Sequence, residues 1–185
     1  MRDYDADLML QAAQGDLSSY RELFDRHYKR GVNIAYRMLG NRDIAEDIAM
    51  DAFARVWESR ASYKPTAKFS TYLYRIVVNL CVNAGKRKRF LVDCELDESI
   101  LKAPSGSDPA VGAERAETTR VVRDAVLQLP ENQRTAIILT RYEELSYQVA
   151  AEVMGVSIKA IESLLHRAKA NLRKELCGLL DELPR

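Results

Sequence analysis

The chain has 185 residues, 47% hydrophobic and 30% charged, which fits one or two small globular domains and excludes disorder throughout. No apolar run approaches the ~20 residues of a membrane span, and the opening MRDYDADLML carries acid where a signal peptide needs cations and then an apolar stretch; a cytoplasmic protein without membrane insertion is expected. The net charge of +1 conceals +5 over residues 1–90, −5 over 91–118 and +1 over 119–185, so the middle stretch is a separate kind of segment.

From Asp5 to Gly40 the hydrophobic pattern predicts two helices broken near Gly15 and Asp16, the second ended by Gly40 and Asn41. His27, in a basic stretch of that second helix, reads as an ordinary surface residue. Residues 43–58, DIAEDIAMDAFARVWE, place Ile44, Ile48, Ala49, Ala52, Phe53 and Val56 on one face of a third helix. Glu46, Asp47, Met50, Asp51 and Arg55 occupy the other faces. A loop follows in ASYKPTAK, residues 61–68, marked by Pro65 and small polar residues.

The next segment, KFSTYLYRIVVNLCVNAGKRKR from Lys68 to Arg89, has three rings at its front, Phe69, Tyr72 and Tyr74, and a basic cluster at its end. At about 100° per residue it forms a helix whose apolar stripe is Leu73, Ile76, Val77, Leu80, Cys81 and Ala84. A second stripe collects Tyr72, Arg75, Asn79, Asn83 and Lys86. Rings that stack on bases, amides that read base edges and cations that meet phosphate are what a protein needs to hold single-stranded nucleic acid. The alternative is a partly buried core helix with polar trim.

Residues 91–118 hold two prolines, two glycines and a run of acid, the composition of a flexible linker. Two helices separated by Pro130 follow. In LSYQVAAEVMGVSIKAIESLLHRAKANLRKEL, Ser146 caps one helix, Gly155 makes a tight turn and Ser157 caps the next, the signature of a helix-turn-helix. Ile161, Leu165, Ala168 and Leu172 point inward, leaving Lys159, Ser163, His166 and Ala170 outside with Arg167 and Lys169 alongside. Such a face suits a major groove, although any basic three-helix bundle could show it. The three cysteines lie far apart with no CxxC and no paired histidine, so neither a zinc site nor a disulfide framework is indicated. Cys81 and Cys177 fall in apolar stripes and read as small core residues, whereas Cys94 lies in the polar connector, where an exposed thiol would be oxidisable. No metal or other cofactor is expected. The fold class that follows is all-α, two small helical domains joined by a flexible acidic linker, the C-terminal one containing a helix-turn-helix.

Three stretches, DIAEDIAMDAFARVWE, KFSTYLYRIVVN and LPENQRTAIIL with LSYQVAAEVMGVSIKAIESLLHRAKANLR, resemble in order and spacing the motifs of bacterial extracytoplasmic-function sigma factors, which are RNA polymerase specificity subunits. The resemblance covers nearly the whole chain. It implies region 2 over residues 1–92, a linker over 93–118 and region 4 over 119–185. Core RNA polymerase would meet Glu46, Asp47, Met50 and Asp51, with Met50 standing where a glutamine is common. The opened minus-ten strand would meet Tyr63, Lys64, Lys68, Tyr72, Arg75, Asn79, Asn83, Lys86 and Arg87, with Lys88 and Arg89 adding charge for phosphate. The upstream promoter element would meet Ser157, Lys159, Glu162, Ser163, His166, Arg167 and Lys169. Glu162, Leu164, Val149 and Ala150 depart from the family pattern. Glu162 would accept from a cytosine amino group or simply repel phosphate. The partners implied are core polymerase, promoter DNA and an anti-sigma factor.

Two other functions stand beside this one. A helix-turn-helix regulator acting without polymerase docking would explain the last two helices but not the acidic helix or the aromatic one. An enzyme finds no Gly-rich phosphate loop and no metal-ligand spacing, and its two histidines, His27 and His166, lie in different domains.

Overall fold

The computed structural model describes residues 3–94 and 113–182, all helices and their connections with no strand among them. Two compact units are present, one built mainly on the residues up to 96 and one mainly on the residues after it. Of the connector expected to be a flexible linker, residues 95–112 lie outside the described residues, whereas 91–94 continue the helix before it and 113–118 already belong to the helix after it; the side chains of Lys88, Arg89 and Cys94 also lie outside the described residues.

The first unit contains α1 (Tyr4–Ala13), α2 (Leu17–Leu39), α3 (Arg42–Glu58), a single 3-10 turn (Arg60–Ser62) and α4 (Phe69–Cys94). Local chemistry sets its breaks. The Asp16 carboxylate accepts from Ser18 N at 2.9 Å to start α2, with hydroxyls from Ser18 and Ser19 on the same carboxyl group. These three hydrogen bonds hold the Asp16 carboxyl below its ordinary range, the Ser19 bond contributing most. Gly40 ends α2 in the left-handed region at φ 73°, which a residue with a Cβ adopts only at a cost. Asn41 then caps α3 by accepting from Ile44 N at 3.0 Å.

That cap fixes where α3 begins, and packing against α2 and α4 fixes which face of α3 is buried. Its buried stripe is Ala45, Ile48, Ala49, Ala52, Phe53 and Val56, while Ile44, expected inside, is 40% exposed. Alanines on this face let α3 approach α2 closely: a Cβ at Gly31 would lie 3.8 Å from both Ala49 and Val77, where α2, α3 and α4 converge. Leu23, Ile34, Leu73 and Val77 are fully enclosed in this unit, each contributing about 1.5–3 kcal/mol by burial.

Helix α4 touches α1, α2 and α3, so its buried arc is wider than one stripe. Phe69, Thr71, Tyr74 and Val78 are buried along with Leu73, Val77, Leu80 and Cys81, while Ile76 and Ala84 are half-buried. His27 is not a surface residue either. It is buried on α2, with Nε2 2.8 Å from Asp5 Oδ2 and its ring edge-on to Phe69 at 5.3 Å.

The second unit contains α5 (Ala113–Gln128), α6 (Glu131–Ile137), a widened π turn (Ile138–Tyr142), α7 (Tyr147–Met154) and α8 (Ile158–Glu182). The π turn closes the helical stretch begun by α6. Ala136, Ile137, Ile138 and Leu139 are all buried, more consecutive apolar residues than one face of a regular helix presents. Glu143 N donates to Ile138 O at 3.0 Å across this wide turn, and Glu144 ends it at φ 55°. Asn171 donates to Gln133 Oε1 at 2.8 Å and ties α8 to α6. Cys177, expected in the core, is exposed.

Candidate functional site

On α3, Asp47, Met50 and Asp51 project from the face opposite the alanine stripe, with Met50 52% exposed. Asp47 and Asp51 are one turn apart and form no hydrogen bond or ion pair with a described residue. Glu46 differs from them: it is half-buried, and Arg42 Nε donates to it at 2.8 Å. The surface therefore presents two uncompensated carboxylates beside a soft, exposed thioether, suited to a partner offering cations around an apolar spot.

The 3-10 turn, the loop after it and the first turns of α4 surround an aromatic group. Tyr63 and Tyr72 are tilted rings with centroids 5.5 Å apart, and Phe69 lies 6.5 Å and 6.4 Å from them. Burial, followed by the nearby Asp3 charge, pushes the Tyr63 hydroxyl up to about 12. That hydroxyl is buried without a hydrogen-bond partner, a costly arrangement for a polar group. Next to it, Arg60 lies over the Trp57 ring at 4.0 Å, while Tyr20 packs on the same ring at 4.8 Å and donates to Phe53 O. Lys64 and Lys68 are exposed on either side of Pro65.

Not all the rings at the front of α4 are available to a nucleic acid. Phe69 is fully buried and Tyr74 is 1% exposed, so both are core. Tyr72 is half-buried, with its hydroxyl 2.8 Å from Ser59 Oγ; that serine, at the end of α3, was not among the expected residues. Beyond Tyr72, Arg75, Asn79, Asn83, Lys86 and Arg87 are exposed. The amides of Asn79 and Asn83 have no partner among the described residues, so an outside ligand would find their donors and acceptors open.

In the second unit the helix-turn-helix forms as the residue pattern predicts. Ser146 Oγ accepts from Val149 N at 3.3 Å, and Ser157 Oγ accepts from Ala160 N at 3.2 Å. Between them Gly155 turns the chain at φ 66°. Ser157 is thus committed to capping, although it remains exposed. Ile161, Leu165 and Ala168 are buried, whereas Lys159, Glu162, Ser163, His166, Arg167 and Lys169 are exposed. Glu162, Ser163, His166 and Arg167 line one shallow concavity. The Arg167 side chain lies back along the helix, with Nε donating to Ser163 O at 3.3 Å. Glu162 makes no ion pair within the described residues despite the cations on its own helix.

The family models describe the same two pieces. The sigma-70 region 2 model matches residues 23–90 and the sigma-70 region 4 model matches residues 119–172. SigW of Bacillus subtilis strain 168, an ECF RNA polymerase sigma factor, is 30% identical over 177 residues, covering 91% of this chain and 95% of its own. Among solved structures, CnrH in complex with the cytosolic domain of CnrY superposes with a TM-score of 0.70 at 26% identity, covering 94% of this chain and 97% of that one. The sigma factor RpoE in complex with the anti-sigma factor NepR, from Bartonella quintana, shares the fold with a TM-score of 0.67 at 22% identity, covering 86% and 98%. With both regions matched in order and a relative aligned over almost its full length, the chain belongs to the extracytoplasmic-function sigma factors of the sigma-70 family.

Proposed function

We propose that this sigma factor divides its work between its two units. Residues 1–92 would grip core polymerase through Asp47, Met50 and Asp51 and hold the opened minus-ten strand along α4. Residues 119–185 would seat α8 on the upstream element, with 93–118 as the linker. The observation that carries this reading is the pairing, in one unit, of the unneutralised Asp47 and Asp51 with the unpartnered Asn79 and Asn83. A regulator that only docked a helix in a duplex groove would need neither. The chain contributes binding and no catalysis, and it works in the cytoplasm, where polymerase and promoter meet. No helix among the described residues is long and apolar enough to cross a membrane.

An anti-sigma factor completes the assignment. RpoE, which shares this fold, was solved bound to one, and the exposed faces of α3 and α8 here are surfaces a restraining partner would cover. Run-off transcription with purified core polymerase and a genomic promoter library tests the main reading. Transcripts starting at a common promoter sequence only when the protein is added are expected; their absence would favour the regulator acting without polymerase.

The upstream contact yields two further expectations. Arg167→Ala should weaken binding to the upstream element and lower the slope of log affinity against log salt by about one, as loss of one phosphate contact does. Titrations at several salt concentrations read this, and an unchanged slope with unchanged affinity makes Arg167 a plain surface residue. Glu162 tests base reading. Its carboxylate accepts from a cytosine amino group but repels the acceptor edges of guanine and thymine, so Glu162→Gln should erase at least about fivefold of preference for cytosine at one upstream position. Equal tightening on every sequence would mean that Glu162 only repels phosphate.

A further inference from the structure

We infer that Asp3 is a positioning residue for promoter opening, acting through the backbone of Phe69 at the start of α4. Asp3 stands at the N-cap of α1, a position where aspartate ordinarily accepts from the amides of its own first turn. Here its side chain caps nothing in α1. Oδ2 instead accepts from Phe69 N at 2.9 Å, across a separation of 66 residues.

The start of α4 needs such a capping acceptor. Lys68 occupies its cap position, its carbonyl accepting from Tyr72 N at 3.2 Å. A lysine side chain has no acceptor to offer, and its cation is unfavourable at a helix N-terminus. Asp3 supplies both the missing oxygen and a compensating negative charge. Asp5, two residues on, accepts from Arg26 Nε at 2.8 Å and lies 2.8 Å from His27 Nε2, and His27 in turn packs edge-on against the Phe69 ring. Phe69 is therefore held at its backbone by one aspartate and at its ring by a histidine fixed by the other.

What Phe69 holds is the loop and the first turn of α4. Its ring packs against Tyr63 and Tyr72, and the exposed Lys64 and Lys68 lie in the chain between those rings. If this loop loses its anchor, the backbone that presents Lys64, Lys68 and Tyr72 frays while the faces of α3 and α8 are untouched. The inference rests on the assignment of α4 to the opened strand, and the experiment separates the two.

Holoenzyme assembled from core polymerase and the full-length chain would be compared as wild type, Asp3→Ala, Asp3→Asn and Asn79→Ala with Asn83→Ala. Two quantities are read: affinity for a single-stranded oligonucleotide carrying the minus-ten sequence, and the rate at which thymines in a duplex promoter become reactive to permanganate. Asp3→Ala should lower both about fivefold, the equivalent of one lost helix cap, with affinity for core polymerase unchanged. Asp3→Asn keeps an acceptor oxygen and should stay within about twofold of wild type on the same scale. The inference is overturned if Asp3→Ala matches wild type in both readings. It is overturned as well if Asp3→Asn is as impaired as alanine, or if core affinity falls in parallel, since Asp3 would then support the unit as a whole. An impaired asparagine double variant beside an unimpaired Asp3→Ala removes this inference alone; an unimpaired double variant removes the assignment of α4.

Discussion

Reversing both uncompensated charges on α3, Asp47→Arg together with Asp51→Arg, is expected to abolish binding to core RNA polymerase while both units stay folded. The two carboxylates are exposed and pair with no described residue, so their loss breaks nothing inside the molecule, and exposed substitutions of this kind usually lie within about 0.5 kcal/mol. The one internal penalty is the new cation at 51, one turn before Arg55, worth a few tenths of a kcal/mol. The effect on the complex is of another size. Each reversal turns an attraction into a repulsion against the basic partner surface that the family resemblance implies, and like-charge juxtaposition at an interface costs several kcal/mol. Two such changes amount to more than about a hundredfold in affinity. A binding titration beside a thermal melt measures both halves of the statement. An affinity within twofold of wild type, with the melt unchanged, would remove α3 from the polymerase interface. Met50 sharpens the expectation: it has no amide to form hydrogen bonds, so a partner meeting that position would make an apolar contact, and specificity would fall more heavily on the two charges.

The features legible in the sequence were those whose cause is local. Asp16, Asn41, Ser146 and Ser157 accept from amides within a turn of themselves, and Gly40 and Gly155 turn the chain where they stand, so the breaks between α1, α2 and α3 and the helix-turn-helix followed from residue types alone, whereas the extension of α4 and α5 into the acidic connector did not. Periodicity gives the direction of a buried face but not its width. For α4 the width depends on three neighbouring helices, which is why Phe69 and Tyr74 turned out to be core residues while Ile76 lies at the edge. On α3 the difference is one of phase: Ile44 is more apolar than Ala45, but the stripe that meets Gly31 on α2 is the one running through Ala49, and Ala45, one turn before it, lies on that stripe while Ile44 does not. His27 became a buried residue because Asp5 and Phe69, distant in the chain, close around it. Asp3 is the limiting case, since its partner is a backbone amide and no side-chain pattern marks that. At the candidate surfaces, the exposure of Asp47, Asp51, Asn79, Asn83 and Arg167 followed from spacing, whereas the engagement of the Tyr72 hydroxyl by Ser59 required the packed structure.

Asn79→Ala with Asn83→Ala is expected to leave affinity for core polymerase and for duplex promoter nearly intact but to slow formation of the open complex. Both amides are exposed on α4, and alanine is the better helix former by several tenths of a kcal/mol per position, so the fold gains slightly rather than loses. Phe69 and Tyr74 are core and the Tyr72 hydroxyl is occupied, which leaves these amides as the principal open hydrogen-bonding groups along the middle of the helix. Amides of this kind act only once bases unstack and expose their edges, whereas Lys86 and Arg87 attract duplex phosphates from the first encounter. Two lost hydrogen bonds of about 0.5–1.5 kcal/mol each correspond to roughly five- to a hundredfold in the stability of the opened state. Permanganate reactivity of unpaired thymines, followed in time for wild type and variant, reads that step directly. A promoter already opened by mismatches at the minus-ten element should restore part of the activity, because the cost of unpairing is removed in advance while the missing contacts remain missing. Salt dependence should not change, since no cation is altered, and this separates the variant from any change at Lys86 or Arg87. Equal thymine reactivity at an equal rate would show that the polar stripe is only the solvated side of a core helix, and the opened strand would have to be held by the loop at Tyr63 and Lys64 instead.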